Sequence, residues 1–198
     1  MSNYPTFFNH NIFFIDEKVA AFKFTNTYKV FDSDSRHIGN IKQKMSAGLK
    51  VLSLFLNKAM FPFRLDIIDN ENNLLASVTR GWTFFMSTIS VSDSDANTIA
   101  IIKQKFKFFK PEFRILDIHN EEIAIIKGDW KAWNFSINDS KDKLIGTINK
   151  KWAGVFKETF TTADKYIVSI EPDVAEDSKK IAIVATAITI DMVLKESK

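Results

Sequence analysis

Residues Ile181 to Leu194, reading IAIVATAITIDMVL, are apolar on every face that a helix would present, so this segment has to be enclosed by lipid or by protein. At about 1.5 Å per residue the run is roughly 21 Å long, short against a hydrocarbon core of roughly 30 Å, and Asp191 stands near its end. Its Ile, Val and Thr content would suit a strand. Yet the run exceeds the about 4 to 8 residues of an ordinary strand and contains no Gly or Pro. Glu176, Asp177 and Ser178 supply acidic and capping groups before it, and Lys195 and Lys198 follow it, as the helix dipole favours. The expectation is a terminal helix buried inside protein.

A repeated phrase indicates what encloses it. Ile38-Gly-Asn-Ile41, Leu75-Ala-Ser-Val78, Ile99-Ala-Ile-Ile102, Ile123-Ala-Ile-Ile126 and Ile145-Gly-Thr-Ile148 each follow a polar cluster rich in turn formers, and each cluster follows another apolar run. The clusters are Asp32-Ser-Asp34, Asn70-Glu-Asn-Asn73, Asp93-Ser-Asp95, His119-Asn-Glu-Glu122 and Asn138-Asp-Ser-Lys-Asp142. The spacing is too short for parallel crossovers and fits antiparallel hairpins in a meander. Between Ile38 and Leu75 the pattern changes: Met45, Leu49, Leu52, Leu56 and Ala59 recur at helical spacing, which predicts a second helix ended by Pro62, with Phe61 to Asp69 resuming the sheet. Many hairpins and one helix apolar all round are most economically arranged as a closed antiparallel β-barrel around that helix. Closure removes the sheet edges and shields the helix from water.

No linker or low-complexity tract divides the 198 residues, so a single domain over residues 1–198 is expected. The net charge of +3 is too mild to demand nucleic acid or a membrane. Zero cysteines exclude disulfides, thiolate metal sites, cysteine nucleophiles and palmitoylation. The start MSNYPTFFNHN lacks the basic and apolar regions of a secretory signal, which points to the cytoplasm. The paired phenylalanines, such as Phe13-Phe14 and Phe108-Phe109, read as core.

The stretch Lys150-Lys-Trp-Ala-Gly-Val-Phe-Lys-Glu-Thr-Phe-Thr-Thr-Ala-Asp-Lys-Tyr166, continuing to Ile181-Ala-Ile-Val-Ala-Thr-Ala-Ile-Thr-Ile-Asp-Met192, resembles the end of phospholipid scramblases. Upstream, Tyr28-Lys-Val-Phe-Asp32 and Ile38-Gly-Asn-Ile-Lys-Gln43 resemble the strand-turn-strand phrase of the wider superfamily, which includes LURP-one-related proteins and the Tubby carboxy-terminal domain. The resemblance covers nearly the whole chain. It implies a barrel of about twelve strands around the C-terminal helix, and either lipid movement between leaflets or binding of membrane phosphoinositides. It also implies a calcium loop before the terminal helix, which here runs from Thr162 through Asp164, Lys165 and Ile167 to Asp173. Asp164 and Asp173 keep carboxylates at matching positions. However, Thr162 replaces an acidic ligand, Lys165 puts a cation inside the loop, and no Gly makes the sharp turn. Calcium is therefore not expected to bind, and no other cofactor is implied.

His10, His37 and His119 form no metal-binding pattern, and neither GxSxG, P-loop nor GxGxxG is present, so a non-enzymatic protein is expected. The binding candidate is Lys103-Gln-Lys-Phe-Lys-Phe-Phe-Lys110. Strand alternation would put Lys103, Lys105 and Lys107 on one face and Gln104, Phe106 and Phe108 on the other, with Lys110 extending the basic row. Lys127, Lys131, Lys150 and Lys151 would widen it if later hairpins are neighbours. Because the aromatics alternate away from the lysines, no stacking platform for nucleic acid forms, and anionic phospholipid or phosphoinositide headgroups fit better. The leading expectation is lipid binding at the inner membrane face. The alternatives are an intracellular scaffold presenting loops such as Phe61-Pro-Phe63 to a protein partner, and lipid scrambling, which would need the terminal segment to span lipid.

Overall fold

The computed structural model describes residues 6–17, 26–46, 48–49, 61–82, 88–105, 112–129, 131, 133–150 and 165–196. A 3-10 turn at Thr6–Asn9 precedes strands β1 (Ile12–Glu17), β2 (Thr27–Phe31), β3 (His37–Lys44), β4 (Phe63–Asp69), β5 (Leu74–Arg80) and β6 (Thr88–Asp93). Then come β7 (Thr98–Lys105), β8 (Glu112–Leu116), β9 (Glu122–Asp129), β10 (Asn134–Asn138), β11 (Leu144–Asn149), β12 (Lys165–Ile170) and helix α1 (Asp177–Glu196). Every strand pairs antiparallel with its neighbours in sequence, and β12 pairs back onto β1 with Phe14 opposite Ile167, so the sheet closes. The five repeated phrases are the returning strands β3, β5, β7, β9 and β11, and the expected twelve-stranded antiparallel barrel is the observed architecture. The second helix expected after the early strands falls in a stretch of which only residues 45, 46, 48 and 49 are described; the rest lies outside the described residues.

Alternation along each strand sorts side chains between lumen and exterior. The lumen is lined by aliphatic and aromatic residues such as Val30, Ile41, Leu65, Val91, Phe113 and Phe135, each fully buried. Into this space runs α1, whose residues from Ile181 to Ile190 are all 0% exposed. Burying each Ile or Val side chain stabilises by about 1.5–3 kcal/mol. That explains why a helix without a polar face is stable here. Its hydroxyls are satisfied locally: Thr186 Oγ1 donates to Ala182 O at 2.6 Å and Thr189 Oγ1 to Ala185 O at 2.9 Å. At its start, Glu176 O accepts from Lys179 N and Lys180 N, and the buried Lys180 ammonium donates to Asn11 Oδ1 at 2.8 Å and Phe8 O at 3.3 Å. Phe7 and Phe8, on the 3-10 turn, stop this end of the lumen. Among the described residues, no helix is long and apolar enough to cross a membrane.

The two ends of the barrel differ. Five hairpins close one end with the same turn. In the first, Ser35 N donates to Asp32 O and Asp32 N to Arg36 O, while Asp32 Oδ1 accepts from Asp34 N and Arg36 N at 2.9 Å. Asp69, Asp93, Asp117 and Asp139 repeat every one of these bonds. Ser35, Asn72, Ala96, Asn120 and Asp142 sit in the left-handed region with φ between 62 and 66°, and the register shifts by one beside each turn. This is a three-residue loop with its bulge, and the Asp carboxylate occupies its concave side. The other end carries the connections that join β1 to β2, β3 to β4, β5 to β6, β7 to β8, β9 to β10 and β11 to β12. Helix α1 starts at the turn end and runs toward the connection end.

Candidate functional site

The expected basic row lies on the outer wall over β7, β8 and β9. Ala100, Ile102 and Gln104 face the lumen, whereas Lys103 and Lys105 face outward and are exposed, as alternation requires. Lys107 and Lys110 lie outside the described residues, as do Phe106, Phe108 and Lys151. Register sets Lys103 opposite Arg114, and sets Glu112 between Lys105 on one side and the exposed Lys127 on the other. Arg114 Nε reaches Glu112 Oε1 at 3.0 Å and Arg114 Nη1 reaches Glu122 Oε2 at 3.5 Å. Lys103 Nζ donates to Asn120 Oδ1, a long 3.4 Å contact. Cations therefore outnumber acids on this face, and Glu112 is nearly covered.

A related arrangement on β3, β4 and β5 gathers its cations more tightly around one acid. Lys42-Gln-Lys44 repeats Lys103-Gln-Lys105, and Lys42 Nζ likewise reaches Asn72 Oδ1 at 3.4 Å. Here Asp66 draws the cations together: Lys44 Nζ lies 2.6 Å and Arg64 Nε 2.8 Å from its oxygens, and Ser77 Oγ donates at 3.0 Å. Burial pushes the Asp66 carboxyl up, but the hydrogen bonds from Lys44, Arg64 and Ser77 and the charge of Arg64 outweigh it and hold the group below its ordinary range.

The wider row divides. Lys131 is exposed near the end of β9, while Lys150 is drawn aside, its ammonium 4.2 Å over the Trp133 ring, which itself stacks on Tyr166 at 5.5 Å. Phe61-Pro-Phe63 does not form the presenting loop expected for a scaffold. Phe61 and Phe63 are both buried, because the register of β4 turns Phe63 inward and Trp82 lies on Phe61 at 5.3 Å. Arg80 fixes this corner by donating to Phe61 O at 2.7 and 3.2 Å, with its guanidinium 4.6 Å over the Phe63 ring. Trp82, 51% exposed, is a surface feature that the sequence reading missed. The signal was available: Trp82 and Trp133 both fall in connections between strands at one end.

Inside the lumen, toward the connection end, Tyr28 Oη donates to the buried Asp191 Oδ2 at 3.1 Å. Burial foremost, then the charge of Asp191, pushes the phenols of Tyr28 and Tyr166 well above their ordinary value, so both stay neutral.

A model of the Scramblase family matches residues 10–197. The chain belongs to the Scramblase family. Its fold is similar to that in an X-ray structure of a protein from Arabidopsis thaliana, with a TM-score of 0.55 at 8% identity over 92% of this chain and 91% of that one. A search among curated proteins finds no match.

Against the calcium loop implied by likeness to scramblases, this Scramblase-family chain shows a strand. Lys165–Ile170 is β12, paired with β1 and β11, so Asp173 follows its turn-end terminus after six extended residues, roughly 20 Å of chain. Asp164 lies outside the described residues. The exposed Asp173 pairs with Lys143, whose hydrogen bond holds its carboxyl below the usual range. Among the described residues, no group of three or more His, Cys, Asp or Glu is placed to hold a metal ion.

Proposed function

We propose that this Scramblase-family barrel is a non-enzymatic protein of the cytoplasm that binds anionic phospholipid headgroups, phosphoinositides included, at the inner face of a membrane. The observation that carries the reading is the outward, exposed pair Lys103 and Lys105, flanked by Arg114 and Lys127, on a wall where Glu112 is nearly covered. Each cation near an anionic leaflet contributes on the order of 1 kcal/mol, and screening is strong beyond about 8 Å at physiological salt. Four such groups support weak, reversible and salt-sensitive association. Scrambling by a spanning α1 would require withdrawing the whole helix from the lumen and breaking the Tyr28–Asp191 bond, so peripheral binding is the better-supported activity.

Co-sedimentation with phosphatidylcholine vesicles containing phosphatidylserine or a phosphoinositide, at two salt concentrations, tests this. Binding should appear only with the anionic lipid and fall steeply with salt, and Lys103→Glu with Lys105→Glu should abolish it while the protein stays folded. Absence of wild-type binding, or binding indifferent to salt and to these substitutions, would refute the reading.

A further inference from the structure

The charges of the barrel are segregated along its axis. The turn end exposes Asp34, Glu71, Asp95, Glu121, Asp142 and Asp173 against the cations Arg36, Lys141 and Lys143, and Arg36 and Lys143 are engaged by Asp32, Asp34 and Asp173. At or near the connection end stand the exposed Lys105, Lys127 and Lys131, with Lys44 held by Asp66 and with the exposed Asp129 beside them. Strands of five to eight residues separate the two sets by roughly 20 Å, more than two screening lengths, so an anionic surface touching one end barely senses the other. Such a surface attracts the connection end and repels the turn end.

The connection end also carries the amphipathic rings. Trp82 is half exposed on a firm base, since Phe61 lies under it and Arg80 holds the Phe61 carbonyl. The ring is thus presented with little further ordering to lose. Lone exposed apolar residues are ordinary. Here, however, the other described tryptophan, Trp133, lies at the same end with Lys150 over its ring. Indole, apolar in body with one N–H donor, partitions to the headgroup level of a bilayer.

We infer that the barrel docks end-on: its connection end meets an anionic lipid bilayer, Trp82 enters the headgroup layer beside the lysines, and the acidic turn end points away. This rests on the lipid-binding reading and adds to it an orientation and an inserted side chain.

The cysteine-free chain makes the test direct. A Cβ at Gly81 meets nothing within 4 Å, and Ser94 is exposed in a hairpin of the turn end, so Gly81→Cys and Ser94→Cys each accept an environment-sensitive NBD label. On phosphatidylcholine–phosphatidylserine vesicles, the label at position 81 should blue-shift, brighten and be quenched by doxyl-labelled lipid, and the label at 94 should not respond. Trp82→Ala should weaken partitioning roughly tenfold, as loss of a half-buried indole requires. Sedimentation without a response at position 81, or with a response at 94, overturns the end-on orientation and leaves lipid binding standing. Failure of the unlabelled wild type to sediment overturns both.

Discussion

On β7, Ala100, Ile102 and Gln104 look into the lumen while Ile99, Ile101, Lys103 and Lys105 look out, and the two faces of this wall bury their polar groups by different means. Inside, shape decides. Apolar side chains close on α1, and the buried Asp191 receives a phenol hydrogen bond from Tyr28. Outside, acids are covered by neighbours that remain in contact with water: Asp66 is 3% exposed beneath Lys44 and Arg64, and Glu112 is 3% exposed beside Arg114. Their alkyl stems screen the carboxylate while the charged heads stay hydrated. The same degree of burial therefore represents a rigid environment on one face and an adaptable one on the other.

The difference breaks most visibly at Ile188, 0% exposed on α1. Ile188→Glu puts an unpaired carboxylate where water does not reach, at a cost of about 3–5 kcal/mol out of the roughly 5–15 that holds a domain together. The variant should be insoluble or lack cooperative urea unfolding, and a chain ending at Lys180 should not fold. A cooperative transition in that truncated chain would show that the lumen is not the core. Next is Tyr28→Phe, which removes a donor from the buried Asp191 and should cost about 1–3 kcal/mol by chemical denaturation.

On the outer wall the expected effects are smaller. Because the native Asp66 carboxyl titrates below its ordinary range, its contribution is complete at neutral pH and is lost as pH falls through that lowered native value. Asp66→Asn should flatten the acid limb of the stability profile and change little above it; an unchanged acid limb would mean that Lys44 and Arg64 do not hold the carboxylate in solution. At the wall's margin, Ala96 adopts φ 66° in its turn, so Ala96→Gly should raise stability by about 0.4–1 kcal/mol, read as a higher melting temperature. Least of all, Lys103→Glu and Lys105→Glu should each shift stability by no more than about 0.5 kcal/mol. A larger loss would identify these lysines as structural and weaken their assignment to lipid.

Patterns local to a few residues carried most of the fold. The uniformly apolar run at Ile181 to Leu194 revealed a buried helix, although its capping residues extend it to Asp177–Glu196. The five polar clusters marked the hairpins because an Asp carboxylate and a left-handed residue leave a recognisable composition. Lys103 and Lys105 were legible as an outward pair because alternation has a fixed period. What required three dimensions was lost. Phe61-Pro-Phe63 looked like an exposed loop, since the register turning Phe63 inward is set by pairing with β3 and β5. The span from Thr162 to Asp173 was read as a loop through its acids, although Tyr166, Val168 and Ile170 keep the inward period of a strand. Trp82 and Trp133 stand far apart in sequence, and only the meander's topology brings them to one end.

The position of α1 after all twelve strands also governs how the barrel is made. Translation delivers the wall first and its filling last, and the Tyr28–Asp191 contact joins residues 163 positions apart. Until β12 and α1 emerge, a nascent chain holds strands with open edges at β1 and β11 and a bare apolar inner face, the condition in which chains aggregate or engage chaperones. Loop closure over such distances makes folding slow as well as late. A premature stop anywhere upstream of Ile181 therefore yields no smaller working barrel, only a substrate for degradation.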